Sequence, residues 1–239
     1  MGEDFRKTLY RGYVSTFKTF RSHPGESSEA WWDHKYLPLV ADLPRGAPIL
    51  EIGCGDGALL AYLGRRGFSH ALGIDISAEQ VTLAARRKVN AVQDDALTYL
   101  QGHAGEYQAL IAVDVLEHFT RDETLALAAR MFESIRLGGR LLIQTANGAG
   151  LFPGQVIHGD LTHQSIFTPE SLAQLLRSVG FSDLSFYETG PIPLRVRGKL
   201  DVALWSVIKA IANTVRHIET GKRQAIWTEN FICRAFKPG

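Results

Sequence analysis

Short apolar runs alternate with helix-period stretches along most of this chain. Runs near residues 48–53, 70–75, 89–93, 107–113 and 139–145 predict buried strands. Between them, residues near 57–66, 78–88, 96–101 and 122–136 carry the spacing of helices. Asp122 and Glu123 open the last of these helices, where acids complement the dipole, and Gly138-Gly139 is expected to stop it. A further helix starts at Thr168-Pro169-Glu170-Ser171, with Thr as N-cap and Pro at the first position, and ends at Gly180. Residues 181–188 and 225–236 read as a sixth and a seventh strand. Such alternation predicts an α/β fold, a parallel sheet with helices on both faces.

Three stretches stand apart from that rhythm. Residues 28–43 read as one helix carrying Trp31, Trp32, Tyr36 and Leu39, ended by Pro44-Arg45-Gly46. Residues 1–27 are basic and aromatic, and Tyr10, Tyr13, Phe17 and Phe20 recur at helical spacings. They are expected to dock on the domain, to close over a ligand as a lid, or both. In residues 190–224, Leu200, Leu204, Val207, Ile211, Val215 and Ile218 predict a long amphipathic helix made basic by Lys199, Lys209, Arg216, Lys222 and Arg223. Packing against its own domain is the first expectation for it. A homodimer face or a cap over the pocket is the second, and membrane-surface docking the third.

The first candidate site is Ile49-Leu50-Glu51-Ile52-Gly53-Cys54-Gly55-Asp56-Gly57-Ala58. A strand ends in glycines that permit positive φ and close ligand approach, and a helix N-terminus follows. Roughly twenty residues on, a second strand ends in Asp75, placed to accept from a ribose diol. Loop and acid together indicate an adenosine-containing ligand. Gly53-x-Gly55-x-x-Ala58 also fits the loose dinucleotide pattern, so an NAD-dependent oxidoreductase is one alternative.

Glu51, the third glycine Gly57, and the strand ending in Asp114-Val115-Leu116-Glu117-His118-Phe119 turn the reading another way. Together these motifs resemble the class I S-adenosylmethionine-dependent methyltransferases, within them the small-molecule branch that includes ubiquinone-type O-methyltransferases. The resemblance spans about Pro48 to Phe186. It implies a Rossmann-like, seven-stranded, mostly parallel sheet whose last strand inserts antiparallel. It also implies one methyltransferase domain over 1–239, with 1–27 as a lid or arm and 190–224 as a helical insertion. S-adenosyl-L-methionine is the implied cofactor. Gly53 and Gly55 would lie on its methionine end, Glu51 would orient its ammonium, Asp75 would hold its ribose and Ile76 would pack on adenine. Asp95-Ala96 falls at the adenine position, with Asp94 as a rival and helix capping as the other role for Asp95. Asp114 closes the fourth strand on the cofactor side.

The acceptor is less sharply indicated. The Asn/Asp-Pro-Pro-aromatic motif of enzymes that methylate planar base amines is absent. His158-Gly159-Asp160-Leu161-Thr162-His163 offers three ionisable side chains on a loop expected beside the site. Its Gly-Asp-x-Thr-His…Phe-Thr-Pro-Glu-Ser pattern is similar to methyltransferases of surface-polysaccharide and secondary-metabolite pathways, which implies a sugar or other hydroxyl. The expected general base is His163 first, His158 second and His118 third, with Asp160 acting alone as a further option. The other role for this loop is a hinge in which His163 caps backbone groups, and His118 is either a wall of the site or a helix-end partner. The spacing matches no standard metal-ligand signature, so no metal is expected. Transfer to an amine or amino sugar, and a noncatalytic adenosine-ligand-binding module, are the remaining alternatives.

Composition bounds these readings. The 239 residues, 45% hydrophobic and 21% charged, suit one domain with a sizeable core. A net charge of +1 gives no nucleic-acid-sized footprint, so a small-molecule acceptor is expected rather than nucleic acid. Cys54 and Cys233 make no disulfide framework, and Cys54 is expected to pack. No apolar run reaches the roughly 18 residues of a membrane span. The polar N-terminus is no signal peptide, and Arg6 stands where a myristoylation signal wants Ser or Thr. A cytoplasmic location is the default expectation.

Overall fold

The computed structural model describes residues 29–239; the aromatic stripe expected over 1–27 lies outside them. Seven strands form one sheet: β1 (Ile49–Ile52), β2 (Ala71–Asp75), β3 (Ala91–Gln93), β4 (Tyr107–Val113), β5 (Ile135–Ala146), β6 (Ser182–Glu188) and β7 (Asn230–Phe236). Their order is β3-β2-β1-β4-β5-β7-β6. The first five pair in parallel, and β7 runs antiparallel to both β5 and β6. All four β1 residues are buried, as a central parallel strand covered on both faces requires.

Side-chain alternation along β1, β4 and β5 sorts the core into two layers. Leu50, Ile52, Leu110, Leu141 and Ile143 face one layer, with Met131, Leu172 and Leu176. Ile49, Ala109, Ile111 and Leu142 face the other, with Tyr36, Leu39, Tyr62 and Leu63. The covering helices are α1 (Glu29–Lys35), α2 (Leu37–Val40), α3 (Ala58–Arg65), α4 (Ala78–Arg86), α5 (Ala96–Gln101), α6 (Arg121–Ser134), α7 (Pro153–His158), α8 (Pro169–Ser178) and α9 (Arg195–Thr220). Capping boxes start α6 at Thr120 and α8 at Thr168, each satisfying backbone donors that a helix start leaves open.

Three expectations are corrected. Residues 28–43 hold two short helices, not one. Pro38 has no N–H for the carbonyl of His34, and its ring crowds that position. Gly138-Gly139 does not stop a helix: α6 ends at Ser134 and β5 begins at once. The glycines serve an irregularity in β5. The register shifts between Tyr107 and Ala109, Gly138 takes φ +70°, and a Cβ on Gly139 would sit 2.9 Å from the carbonyl oxygens of Arg136 and Gln108. β7 starts at Asn230, because the preceding residues form a turn in which Trp227 N–H donates to Glu188 Oε1. Helix α9 rests on its own domain along one half-buried side, with Lys209 and Trp205 donating to Glu188, and none of its 26 residues is fully buried.

Candidate active site

The carboxyl ends of the parallel strands gather the expected residues. Between β1 and α3 the chain turns through Gly53, Gly55 and Gly57 at φ +65°, +55° and +74°. A side chain would be strained there by roughly 1–2 kcal/mol per residue. Space forbids one as well: a Cβ would lie 2.5 Å from Val115 Cγ2 at Gly53 and 2.5 Å from Val89 Cγ2 at Gly57. Asp75, at the end of β2, reaches across this loop. Gly55 N–H donates to its Oδ2 at 2.8 Å and Ser77 N–H to its Oδ1 at 2.8 Å. Each oxygen thus holds one backbone donor, where a carboxylate accommodates about four bonds in all.

Glu51 is buried just ahead of the loop. Cys54 packs on β2, since a Cβ on Gly73 would fall 2.6 Å from its Sγ. Burial and the nearby Glu51 and Asp75 push its thiol far up, so it is no nucleophile. Ile76 is half-buried beside Asp75, and Ala96 is buried at the start of α5. Asp95 takes the capping role: its Oδ1 accepts from the N–H groups of Leu97 and Thr98 at 3.0 and 3.2 Å. Asp94 in turn accepts from Asp95 N–H.

Asp114 closes β4 in the left-handed region at φ +53°, an unusual conformation that Asp tolerates better than most residues. Gln144 Nε2 donates to both its oxygens at 3.2 and 3.3 Å, while Gln144 Oε1 accepts from the Tyr36 hydroxyl at 2.9 Å. Tyr36 and Gln144 were not indicated as site residues by the sequence. Tyr36 lies between α1 and α2 and Gln144 on β5, and the pairing of β4 with β5 brings Gln144 beside Asp114.

Glu117 and His118 sit on a short 3-10 turn after β4. The loop before α8 folds onto this turn: Gln164 and Ser165 donate their N–H groups to the Glu117 carbonyl at 2.7 and 3.0 Å. His163 thereby meets His118 edge to face, with ring centroids 5.0 Å apart. The His163 Nδ1 lies 2.7 Å from the Val156 carbonyl, which only accepts, so Nδ1 carries the proton and Nε2 is the acceptor nitrogen. Thr162 donates its hydroxyl proton to Asp160 Oδ1 at 2.6 Å and accepts at 2.8 Å from His118 Nδ1. Both rings thus have Nδ1 engaged, and His118 also bonds the Asp114 backbone. Burial, then the neighbouring His163, pushes His118 down to about 4. Burial, with Asp114 and Asp160 nearby, pushes the Glu117 carboxyl up to about 8, although Thr145 donates to its Oε2 at 2.9 Å.

His118 and His163 are thus brought together. Asp160 is buried beneath them as the anchor of Thr162, also accepting its N–H at 2.9 Å. His158 stands apart, exposed at the end of α7. Donor atoms of Glu117, His118 and His163 all lie within 4.8 Å of one another, close enough for one cation to gather after small side-chain adjustments.

A family model described as a methyltransferase domain matches residues 27–185, from α1 into β6. The chain belongs to that family. It is a class I methyltransferase with S-adenosylmethionine as its methyl donor, and the dinucleotide alternative falls. The tRNA (carboxymethyluridine(34)-5-O)-methyltransferase alkbh8 of Xenopus tropicalis is 30% identical over 145 residues, 60% of this chain and 22% of that protein. The mitochondrial ubiquinone biosynthesis O-methyltransferase of Rattus norvegicus is 31% identical over 157 residues, 57% of this chain and 45% of that one. The chain thus spans less than half the length of either. Among solved structures, an S-adenosylmethionine-dependent methyltransferase from Archaeoglobus fulgidus superposes with a TM-score of 0.70 at 20% identity, covering 94% of this chain and 99% of the other. No helix among the described residues is long and apolar enough to cross a membrane.

Proposed function

We propose that this methyltransferase transfers its methyl group to a hydroxyl of a small molecule, a sugar or similar polyol, held at the Glu117–His118–His163 cluster. One observation carries the reading: two imidazoles and a buried carboxyl bring their polar atoms within 4.8 Å of one another at the end of β4, on the sheet edge that carries the glycine loop. The two relatives named above are O-methyltransferases, which supports oxygen over an amine nitrogen as the acceptor atom. On the donor side, Gly53 and Gly55 admit the methionine end, Glu51 orients its ammonium, and Asp75 accepts from the ribose diol. Ile76 and Ala96 border adenine, and Asp114 closes the strand end beside it.

Bound S-adenosylmethionine would supply an activated methyl group and a neutral thioether leaving group, and an imidazole nitrogen of the cluster would take the acceptor's hydroxyl proton. His163 suits that last task better than His118, whose lowered pKa makes it a poor proton sink. His163→Ala should lower kcat by roughly 10²–10⁴ while donor affinity holds. A variant with wild-type kcat would remove His163 as the base.

A second route is favoured by the converging donor atoms. Two imidazoles and a carboxylate suit a divalent ion of the zinc or manganese type, and the Nδ1 partners would orient the rings. Such an ion would lower the pKa of a bound hydroxyl. Exhaustive chelation separates the routes: a loss of activity restored by added Zn²⁺ or Mn²⁺ favours the ion, and unchanged activity favours the free base.

A further inference from the structure

Helix α9 is built the wrong way round for a helix that serves its own domain. Its half-buried residues, among them Trp205, Lys209, Asn213 and Arg216, lie on one side. Glu188, at the end of β6, anchors that side by accepting from Lys209 Nζ at 2.6 Å and Trp205 Nε1 at 3.2 Å. At 100° per residue, Leu200, Leu204, Val207, Ile211, Val215 and Ile218 gather on the opposite side in an arc of about 80°. Exposed apolar residues on this helix range from 44% at Ile208 to 86% at Val196. A continuous apolar stripe of this length, turned to solvent, marks an interaction surface.

Charge selects the occupant. Residues 194–224 hold seven of the chain's 26 Lys and Arg but two of its 25 Asp and Glu, a net of +5; the rest of the chain carries −4, which leaves +1 overall. Lys209 and Arg216 lie on the inner side, so the exposed charges are Arg195, Arg197, Lys199, Lys222 and Arg223 against Asp201 and Glu219, and a second copy docking stripe to stripe would set +3 against +3. An anionic surface gains from the same charge, and a basic helix with an apolar stripe, too polar to span, is the form that lies in a bilayer interface.

We propose that α9 seats the enzyme on an anionic lipid surface and that its acceptor is borne by that membrane. β6 runs parallel to β5 across the intervening β7, so α9 departs from the sheet edge that carries the glycine loop and the histidine cluster. Docking through α9 therefore brings the candidate site close to the lipid headgroups. The acceptor part rests on the hydroxyl-transfer reading; the docking part does not.

The full chain should co-sediment with vesicles containing phosphatidylglycerol, weakly with pure phosphatidylcholine, and less at high salt. Leu204→Glu with Ile211→Glu should weaken vesicle binding by at least about tenfold, and Lys222→Glu with Arg223→Glu by a similar factor on anionic vesicles only. Donor binding, measured without acceptor, should be unchanged in both variants and reports intact folding. No binding to anionic vesicles, or binding that survives Leu204→Glu/Ile211→Glu, overturns the proposal. So does a dimer in sedimentation equilibrium that the same pair of substitutions dissolves. Vesicle binding without any methyl transfer to a hydroxyl would leave docking standing and sink the hydroxyl reading.

Discussion

Asp75→Ala tests the tie between the glycine loop and the donor. The carboxylate accepts two backbone N–H bonds at 2.8 Å, from Gly55 and Ser77. Bonds to a charged acceptor contribute roughly 1.5–3 kcal/mol each when no substitute exists, but Asp75 is half-buried and water replaces part of that. The variant should lose about 1–3 kcal/mol of unfolding free energy. Donor binding should suffer separately, because the ribose hydroxyls lose their acceptor: roughly 1.5–3 kcal/mol, or about ten- to 150-fold in Kd. Asp75→Asn should fall between, since one amide oxygen can hold one of the two N–H groups while the NH₂ faces the other. Calorimetric titration with S-adenosylmethionine, beside urea melts of the same samples, reads both quantities. A folded Asp75→Ala protein whose Kd stays within about twofold of wild type would refute the ribose role and leave Asp75 a loop tie.

Gly53→Ala should lose about 2–4 kcal/mol, combining left-handed strain with the 2.5 Å overlap on Val115 Cγ2; Val115→Ala added to it should recover only the overlap. A loss below about 0.5 kcal/mol in denaturant melts would show that the loop rearranges. Tyr36→Phe removes the hydroxyl that orients Gln144 toward Asp114 and should lower stability by about 1 kcal/mol, read as a fall in Tm. The Arg140 guanidinium beside Asp42 holds that carboxyl below the usual aspartate range. A depressed folded pKa stabilises above the unfolded pKa and fades as pH falls through the folded one. Asp42 is largely exposed, so Asp42→Asn should lose at most about 1 kcal/mol at neutral pH, and the gap to wild type should close in acid. A gap that widens as pH falls would contradict the sign.

What the sequence made legible was local. The glycine turn, Asp75 at its spacing, and the Thr168 cap each depend on neighbours within a few residues or on one strand–helix repeat. Gly138-Gly139 misled because two glycines suit a helix stop and a strand irregularity equally. The choice was made by pairing with Gln108 and by Gly138 donating to the Lys237 carbonyl, neither adjacent in sequence. The histidine cluster was half legible. Both rings were candidates, but Glu117 was not, because its place beside them depends on Gln164 and Ser165 binding its carbonyl. Asp160 read as a possible base and is a tether for Thr162. For α9, periodicity revealed that one face is apolar, not which body covers it.

The most direct test of the central claim is transfer itself. The chain, incubated with methyl-labelled S-adenosylmethionine and a panel of hydroxylated, amine and tRNA acceptors, should move label to a hydroxylated small molecule, with the product methyl bonded to oxygen by NMR. His163→Ala and Glu117→Gln should each slow that transfer at least about tenfold at unchanged donor affinity. Label on nitrogen, label on tRNA alone, or full transfer rates in both variants would contradict a hydroxyl methyltransferase built on the Glu117–His118–His163 cluster.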